Sequence, residues 1–387
     1  MNLSRKKNIC VISSSRAEFG ILRNFVKSLE KIKFFKVELI LIGKHSIDSF
    51  GTTKSEIKEN KIKNYSQIKL PNKNNNPFDI SKISSILLEK LSNKFKKNFF
   101  DLLLILGDRY EILITAYAAV LHRIPITHLS GGDETRGSYD NQFRHAISKF
   151  SNLHFVTNEN SKKRLIRMGE DPKKIFNYGS LSIENIKKAP KIKKNLLEKE
   201  FNFKFKDKNF LVTYHPETLT QEPEKKINIL LKSIEHFKNY QFIFTSSNND
   251  EGGNTINRII KKFSKKNKNI KFVNSFGQLK YFSMLQHIDG VIGNSSSGVH
   301  EVPSFKIGTV NIGSRQDGRL KIKSVINTSY SHNEIIRAIK KISSKKFKNS
   351  LKNLKNPYYK VNTKKNIIKK IISFTNKKLL ISKKFYG

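Results

Sequence analysis

The chain has 387 residues, a formal net charge of +44 from 75 lysines and arginines against 31 aspartates and glutamates, and one cysteine. That length exceeds one ordinary domain and suits two of roughly 150 to 200 residues. A lone cysteine excludes an intrachain disulfide, and Cys10, inside the apolar run 9–12, reads as a small buried side chain in a reducing compartment. No run approaches the roughly eighteen apolar residues of a membrane helix, and the first apolar run is too short for a signal peptide, so the expected location is cytoplasmic.

The charge is mostly lysine, spread along the chain among Asn, Ile and Phe, with pairs such as Lys261-Lys262 and Lys369-Lys370 on what read as helix surfaces. A nucleic-acid binder concentrates Lys and Arg on one element, often beside aromatic platforms, and neither pattern occurs here. That function is therefore the remotest alternative. Nonspecific attraction to polyanions and association with an anionic substrate both remain compatible with the charge.

In chain order, residues 8–12 form a short buried strand that runs into Ser13-Ser14-Ser15-Arg16, with a helix over 18–31. Small hydroxyl residues at a strand-to-helix turn admit close backbone approach, and Arg16 adds a fork suited to phosphate. A second strand, 37–42, ends at Gly43-Lys44-His45. Residues 51–76 are polar and read as loops and short elements, and 80–95 has helical spacing. Next comes the richest stretch. Strand 102–106 ends in Gly107-Asp108-Arg109-Tyr110-Glu111, a helix follows over 110–122, and strand 124–129 ends in Ser130-Gly131-Gly132-Asp133-Glu134. Open parallel sheets bind ligands at the carboxyl ends of their strands, which is where both acidic turns fall. A helix over 139–150 then places Asp140 and Arg144 four residues apart on one face, with His145 adjacent.

Strands over 153–157 and 175–178 flank a helix over 159–168 and close the first half. The lysine-rich segment 184–208 carries the interdomain link near its start. The second half repeats the pattern. Strand 210–214 leads to His215-Pro216-Glu217-Thr218 and a helix over 224–237; strand 242–245 ends at Ser246-Ser247-Asn248-Asn249-Asp250. Residues 291–293 run into Asn294-Ser295-Ser296-Ser297-Gly298, an anion cradle of amides and hydroxyls at the positive end of a helix. Glu301, one to two turns on, can accept two ribose hydroxyls. Strand 309–312 leads to Gly313-Ser314-Arg315-Gln316, another cationic turn, and a basic amphipathic helix spans 363–381. Neither a Walker loop nor GxGxxG occurs, and no Cys/His cluster has zinc spacing.

These motifs, in this order, give the chain its resemblance to a known family. With Ser-Arg-Ala-Glu at 15–18, Gly-Asp-Arg-Tyr-Glu at 107–111, Ser-Gly-Gly-Asp at 130–133, Arg-His-Ala at 144–146, His-Pro-Glu-Thr at 215–218 and Asn-Ser-Ser-Ser-Gly at 294–298, it resembles the UDP-N-acetylglucosamine 2-epimerases over nearly its whole length. The likeness is closest to the hydrolysing branch, which makes N-acetylmannosamine or its 2,4-diacetamido-6-deoxy counterpart for sialic- and legionaminic-type acids.

The resemblance implies an α/β chain of glycosyltransferase-B architecture, two Rossmann-like domains facing across a cleft. The first would span 1–183 and carry the sugar-side groups, the second 184–360 and carry UDP, with 361–387 returning to the first. It implies Asp108, Asp133, Asp140, Arg144 and His45 for the sugar chemistry, and Arg16, Arg109, His215, Asn248, Ser295, Ser296, Glu301 and Arg315 for UDP and its diphosphate. Many relatives carry a glutamate where this chain has Ser130, so the resemblance passes that role provisionally to Asp133, with Glu134 the neighbour to compare. The implied reaction needs no redox cofactor and no metal, and a homo-oligomer is the expected assembly. A nonhydrolysing epimerase and a glycosyltransferase of the same architecture are the nearer alternatives.

Overall fold

The computed structural model describes residues 5–46, 57, 59–71, 76–187, 189–217, 219, 222–248, 252–375 and 382–387. Thr218, Asn249, Asp250 and residues 376–381, the end of the expected C-terminal helix, lie outside the described residues, as do parts of 51–76.

The chain divides into two compact α/β units. One gathers Met1–Asp133, Asp140–Asn185 and Tyr358–Gly387; the other gathers Glu134–Tyr139 and Ile186–Pro357. The short stretch Glu134–Tyr139, lying between two of the acidic motifs, thus packs with the second unit.

The first unit holds β1 (Lys7–Ser13), β2 (Phe35–Leu41), β3 (Tyr65–Gln67), β4 (Leu102–Leu106), β5 (Ile126–Leu129), β6 (Leu153–Val156) and β7 (Ile175–Asn177) in the order β3-β2-β1-β4-β5-β6-β7. Every pairing in it is parallel. Buried on both faces, β4 is five apolar residues without alternation, as a parallel central strand should be. The connections reverse direction between β1 and β4, so the crevice outside their carboxyl ends is the natural ligand site of this sheet.

Its helices are α1 (Arg16–Glu30), α2 (Pro77–Lys97), α3 (Tyr110–Leu121), α4 (Asp140–Phe150), α5 (Glu159–Arg167) and α6 (Leu181–Ile186), whose last residue, Ile186, is counted with the second unit. Local chemistry starts them. Ser15, Asn76 and Asn158 each cap a helix by accepting a backbone N–H three residues on, and Pro77 supplies a preset φ at the first turn of α2.

The second unit has α7 (Lys194–Phe201), β8 (Asn209–Thr213), α8 (Pro223–Glu235), β9 (Gln241–Thr245), α9 (Gly253–Lys266), β10 (Ile270–Val273) and α10 (Gly277–Leu285). Then come β11 (Gly290–Gly293), α11 (Ser296–His300), β12 (Gly308–Ile312), β13 (Val325–Thr328), α12 (His332–Ser343) and α13 (Lys345–Ser350). The sheet order is β10-β9-β8-β11-β12-β13, again all parallel, with its reversal between β8 and β11. The last helix, α14 (Thr363–Thr375), belongs to the first unit and buries Ile367 and Ile371 in its core. Each such side chain contributes about 1.5 to 3 kcal/mol.

Two short elements take shape in stretches whose own pattern is weak. Residues 65–67, within 51–76 where loops and short elements are expected, form the edge strand β3, which pairs with Leu39–Leu41. Residues 194–201, in the low-pattern segment 184–208, form α7, which buries Leu197. β3 is only three residues long and half of α7 is lysine or glutamate, so neither carries enough apolar residues for a period to show. Among the described residues no helix is long and apolar enough to cross a membrane.

Candidate functional site

The first unit brings its charged groups to the carboxyl ends of β2, β1, β4 and β5. β4 leaves the sheet at Gly107, whose φ of +86° a side chain would resist, and Asp108 follows directly. The Asp108 carboxylate is gripped by the Arg144 guanidinium, which reaches it from the middle of α4 and also donates to the Asp133 carbonyl at 3.0 Å. Arg144 is 2% exposed. A guanidinium that deep is tolerable because it is both paired and hydrogen-bonded.

His128, inside β5, was not anticipated as a site residue and explains how that pair is held. Its Nε2 lies 2.8 Å from the Gly107 carbonyl and its Nδ1 3.1 Å from the Ser148 hydroxyl. Burial pushes this imidazole down to about 3, so it is neutral at pH 7. A carbonyl only accepts, so the proton sits on Nε2, and Nδ1 shares the single Ser148 hydroxyl hydrogen with the Arg144 carbonyl, 3.0 Å from that hydroxyl. His128 thereby ties the residue before Asp108 to α4 one turn beyond Arg144. The detectable signal was a histidine interrupting an apolar strand.

Asp133 is 6% exposed, and its Oδ1 accepts from Asn158 at 3.0 Å, from Thr157 at 3.4 Å and from Ser161. Its orientation is therefore set by the start of α5. Gly132, at φ +74°, lets this turn close: a Cβ there would lie 2.5 Å from the Ser161 carbonyl oxygen. Ser130, at the position where relatives carry glutamate, also has a positive φ, +64°. Glu134 points to different company, pairing with the exposed Arg136 at 2.7 Å. Asp140 opens α4 and is half-buried.

His45 is 8% exposed, lies 2.9 Å from the Ser13 hydroxyl, and is pushed by burial, reinforced by Arg16, down to about 4. Arg16 is the first residue of α1. Glu18, two residues on, accepts from the Ser14 amide and hydroxyl at 2.7 Å each, and burial lifts it to about 7. Arg109 binds the buried Glu111 through two N–H groups at 3.1 and 3.3 Å.

The second unit assembles a different surface at the carboxyl ends of β8, β9, β11 and β12. His215 and Asn294 lock two strand ends together: the His215 amide donates to Asn294 Oδ1 at 2.7 Å and Asn294 Nδ2 returns to the His215 carbonyl at 2.8 Å. The Asn248 amide donates to His215 Nδ1 at 2.9 Å, which leaves the ring's other nitrogen as its N–H donor in the neutral form. Gly293 permits the approach of β11, since a Cβ there would fall 2.0 Å from the Thr213 carbonyl oxygen.

The three serines after Asn294 divide. Ser296 is exposed, Ser295 caps α11 half-buried, and Ser297 is bonded to the Tyr281 hydroxyl at 2.7 Å. With α11 only five residues long, the amides and hydroxyls matter more here than a helix dipole. Glu301 caps its far end. Glu217, also unforeseen, accepts from the Ser314 and Arg315 amides at 2.8 and 3.1 Å and from Lys226 at 2.8 Å, so it fixes the loop that carries Arg315.

The first unit thus gathers carboxylates and an arginine at its strand ends, and the second unit an array of hydrogen-bond donors at its own. Residues 27–372 match the family described as UDP-N-acetylglucosamine 2-epimerase. The chain is 39% identical over 345 residues to a Campylobacter jejuni protein named GDP/UDP-N,N'-diacetylbacillosamine 2-epimerase (hydrolyzing), covering 89% of each. It is 38% identical over 385 residues to the Escherichia coli polysialic acid biosynthesis protein P7, covering 98% of this chain and 97% of that one. The solved structure of the Neisseria meningitidis UDP-GlcNAc 2-epimerase bound to UDP-GlcNAc has the same fold, with a TM-score of 0.80 at 16% identity over 95% of this chain and 100% of that one. The chain belongs to the UDP-N-acetylglucosamine 2-epimerase family.

Proposed function

We propose that the chain is a hydrolysing 2-epimerase that converts a UDP-activated N-acetylhexosamine to its free 2-epimer and UDP, working in the glycosyltransferase-B manner with one unit for the sugar and one for the nucleotide. The observation that carries the hydrolysing reading is the 39% identity, over 89% of both chains, to a relative named as hydrolysing. The sugar is UDP-N-acetylglucosamine or the 2,4-diacetamido-6-deoxy compound that this relative's name points to.

The chemistry asks for the groups described. Cleavage of the bond between the anomeric carbon and UDP leaves positive charge on the sugar and acidifies C2–H, and a carboxylate takes that proton to give a 2-acetamidoglucal. The departing diphosphate collects negative charge, which Arg16, His215, Arg315 and the Ser295-Ser296 turn are suited to stabilise. Water then adds its oxygen to C1 while a proton returns to C2 on the other face, which calls for acid and base on both faces. Asp108, Asp133 and Asp140 divide those roles, Arg144 holds Asp108, and His45 and Arg109 border the site.

Turnover in deuterated water tests the reading: UDP and a free sugar deuterated at C2 are expected. UDP released without label at C2 would sink it, an epimer still attached to UDP would decide for the nonhydrolysing branch, and dependence on an acceptor would decide for a glycosyltransferase. Running both candidate sugars side by side identifies the substrate.

A further inference from the structure

The loop after β12 carries two side chains that converge on one carbonyl and are left incomplete. Gln316 donates from Nε2 to the Asn294 carbonyl at 2.8 Å, and Arg315 approaches the same oxygen at 3.4 Å. Gln316 is 4% exposed, and its Oε1 has no hydrogen-bond partner; neither has Arg315 Nε. The amide cannot be turned over to relieve this, because a carbonyl only accepts and the nitrogen must face Asn294. A buried amide oxygen without a donor has lost its hydration uncompensated, so groups left in this state invite a functional explanation. The loop does not yield, since Glu217 holds the Ser314 and Arg315 amides from below.

What would complete Oε1 must bring a hydrogen. The diphosphate has none at neutral pH, so within a nucleotide sugar the donors are ribose hydroxyls, uracil N–H and the hydroxyl or amide groups of the hexosamine. Position separates them. Glu301, proposed for the ribose, stands at the far end of α11, about 7 Å along the helix axis from its start. Gln316 is fixed at Asn294, on the opposite side of the serine turn. A nucleoside, a diphosphate and a sugar laid in sequence along that line put the sugar at Gln316. We infer that Gln316 is a sugar-reading residue, its Oε1 accepting a hydrogen from a hydroxyl or amide N–H of the hexosamine. The inference rests on the nucleotide-sugar function proposed above and adds a specificity-determining residue to it.

The test compares KM for the UDP-sugar with the competitive Ki of UDP, which fills the nucleotide site but has no sugar, in Gln316→Met and Gln316→Glu. Loss of the Oε1 acceptor in Gln316→Met should raise KM about tenfold, the scale of one hydrogen bond, and leave the UDP Ki within about twofold. Gln316→Glu keeps an acceptor at that position, so its ratio of KM to Ki should stay closer to that of the unaltered chain even if the added charge weakens both. Equal weakening of UDP and UDP-sugar in Gln316→Met would overturn the inference by assigning the side chain to the nucleotide turn through Asn294. No change in either constant would overturn it in favour of a bound water. If the unaltered chain neither releases UDP from these sugars nor is inhibited by UDP, the proposed function itself has failed, a result independent of either variant.

Discussion

The two strand-end surfaces are built on opposite principles. In the first unit, Arg144 is committed to Asp108, Asp133 to three side-chain donors, Arg109 to Glu111 and Glu18 to Ser14. In the second, Ser296 is exposed, and Arg315 Nε and Gln316 Oε1 stay without partners. The first surface is thus preorganised through its own ion pairs and hydrogen bonds, which suits the proton transfers proposed for it. The second keeps both donor and acceptor capacity in reserve, which suits the nucleotide sugar proposed above.

The largest break in that contrast comes from Arg144. Replacing it by Met leaves the Asp108 carboxylate without its buried partner and should destabilise the fold by about 3 to 5 kcal/mol, read from urea unfolding, with UDP release abolished. Asp108→Asn keeps the shape but leaves the buried Arg144 guanidinium without its counter-charge, so the urea midpoint should fall as well, while kcat drops by about a hundredfold or more. Its UDP Ki should not move; a rise there would show that Asp108 serves the nucleotide instead.

Next in size is the comparison around the double glycine. Asp133→Asn retains an oxygen for Asn158, Thr157 and Ser161, so the expected outcome is a folded protein with kcat reduced roughly a hundredfold. Glu134→Gln gives up a solvent-exposed pair with Arg136 and should leave stability and activity little changed. Reversal of that order would move the assignment to Glu134. On the nucleotide side, Ser296→Ala should weaken UDP binding severalfold, by about 1 kcal/mol. Ser297→Ala, whose hydroxyl is taken by Tyr281, should cost a similar amount of stability and leave the UDP Ki unchanged.

The smallest effect is on pH. Burial holds His45 at about 4 and His128 at about 3, below the 6.5 of a free imidazole. The unfolded chain binds more protons in that window, so the stability from these two rings is present above pH 6.5 and lost as pH falls toward 4 and then 3. Glu18 works in the other direction: raised from 4.5 to about 7, it contributes most below pH 4.5 and its contribution is lost as pH rises through 7. Chemical denaturation across this range should show an acid limb that flattens in His128→Asn and an alkaline decline that is lost in Glu18→Gln.

Much of the fold was legible because parallel strands buried on both faces are short stretches dominated by apolar residues, and β4, β8 and β12 each begin and end within a residue of their expected bounds. Strand ends carrying Asp108, Asp133 and His215 followed from those runs. β3 and α7 were not delimited because their burial is decided by neighbours rather than by their own pattern. His128, Glu217 and Gln316 were missed as site residues for a related reason: what matters about each is which backbone group it holds, and sequence spacing does not encode that.

The sequence alone therefore determined the alternating α/β plan and the types of residue placed at the strand ends, since apolar period and turn chemistry are local properties. Tertiary structure decided the partners. Arg144 lies four residues from Asp140, yet the carboxylate it is seen to grip is Asp108, thirty-six residues away, because the β4–β5 register and the His128 tie bring the end of β4 beside α4. Likewise Glu134–Tyr139 packs with the second unit, though both its flanks belong to the first. Long-range pairing depends on which surfaces the whole fold presses together, and no local pattern carries that information.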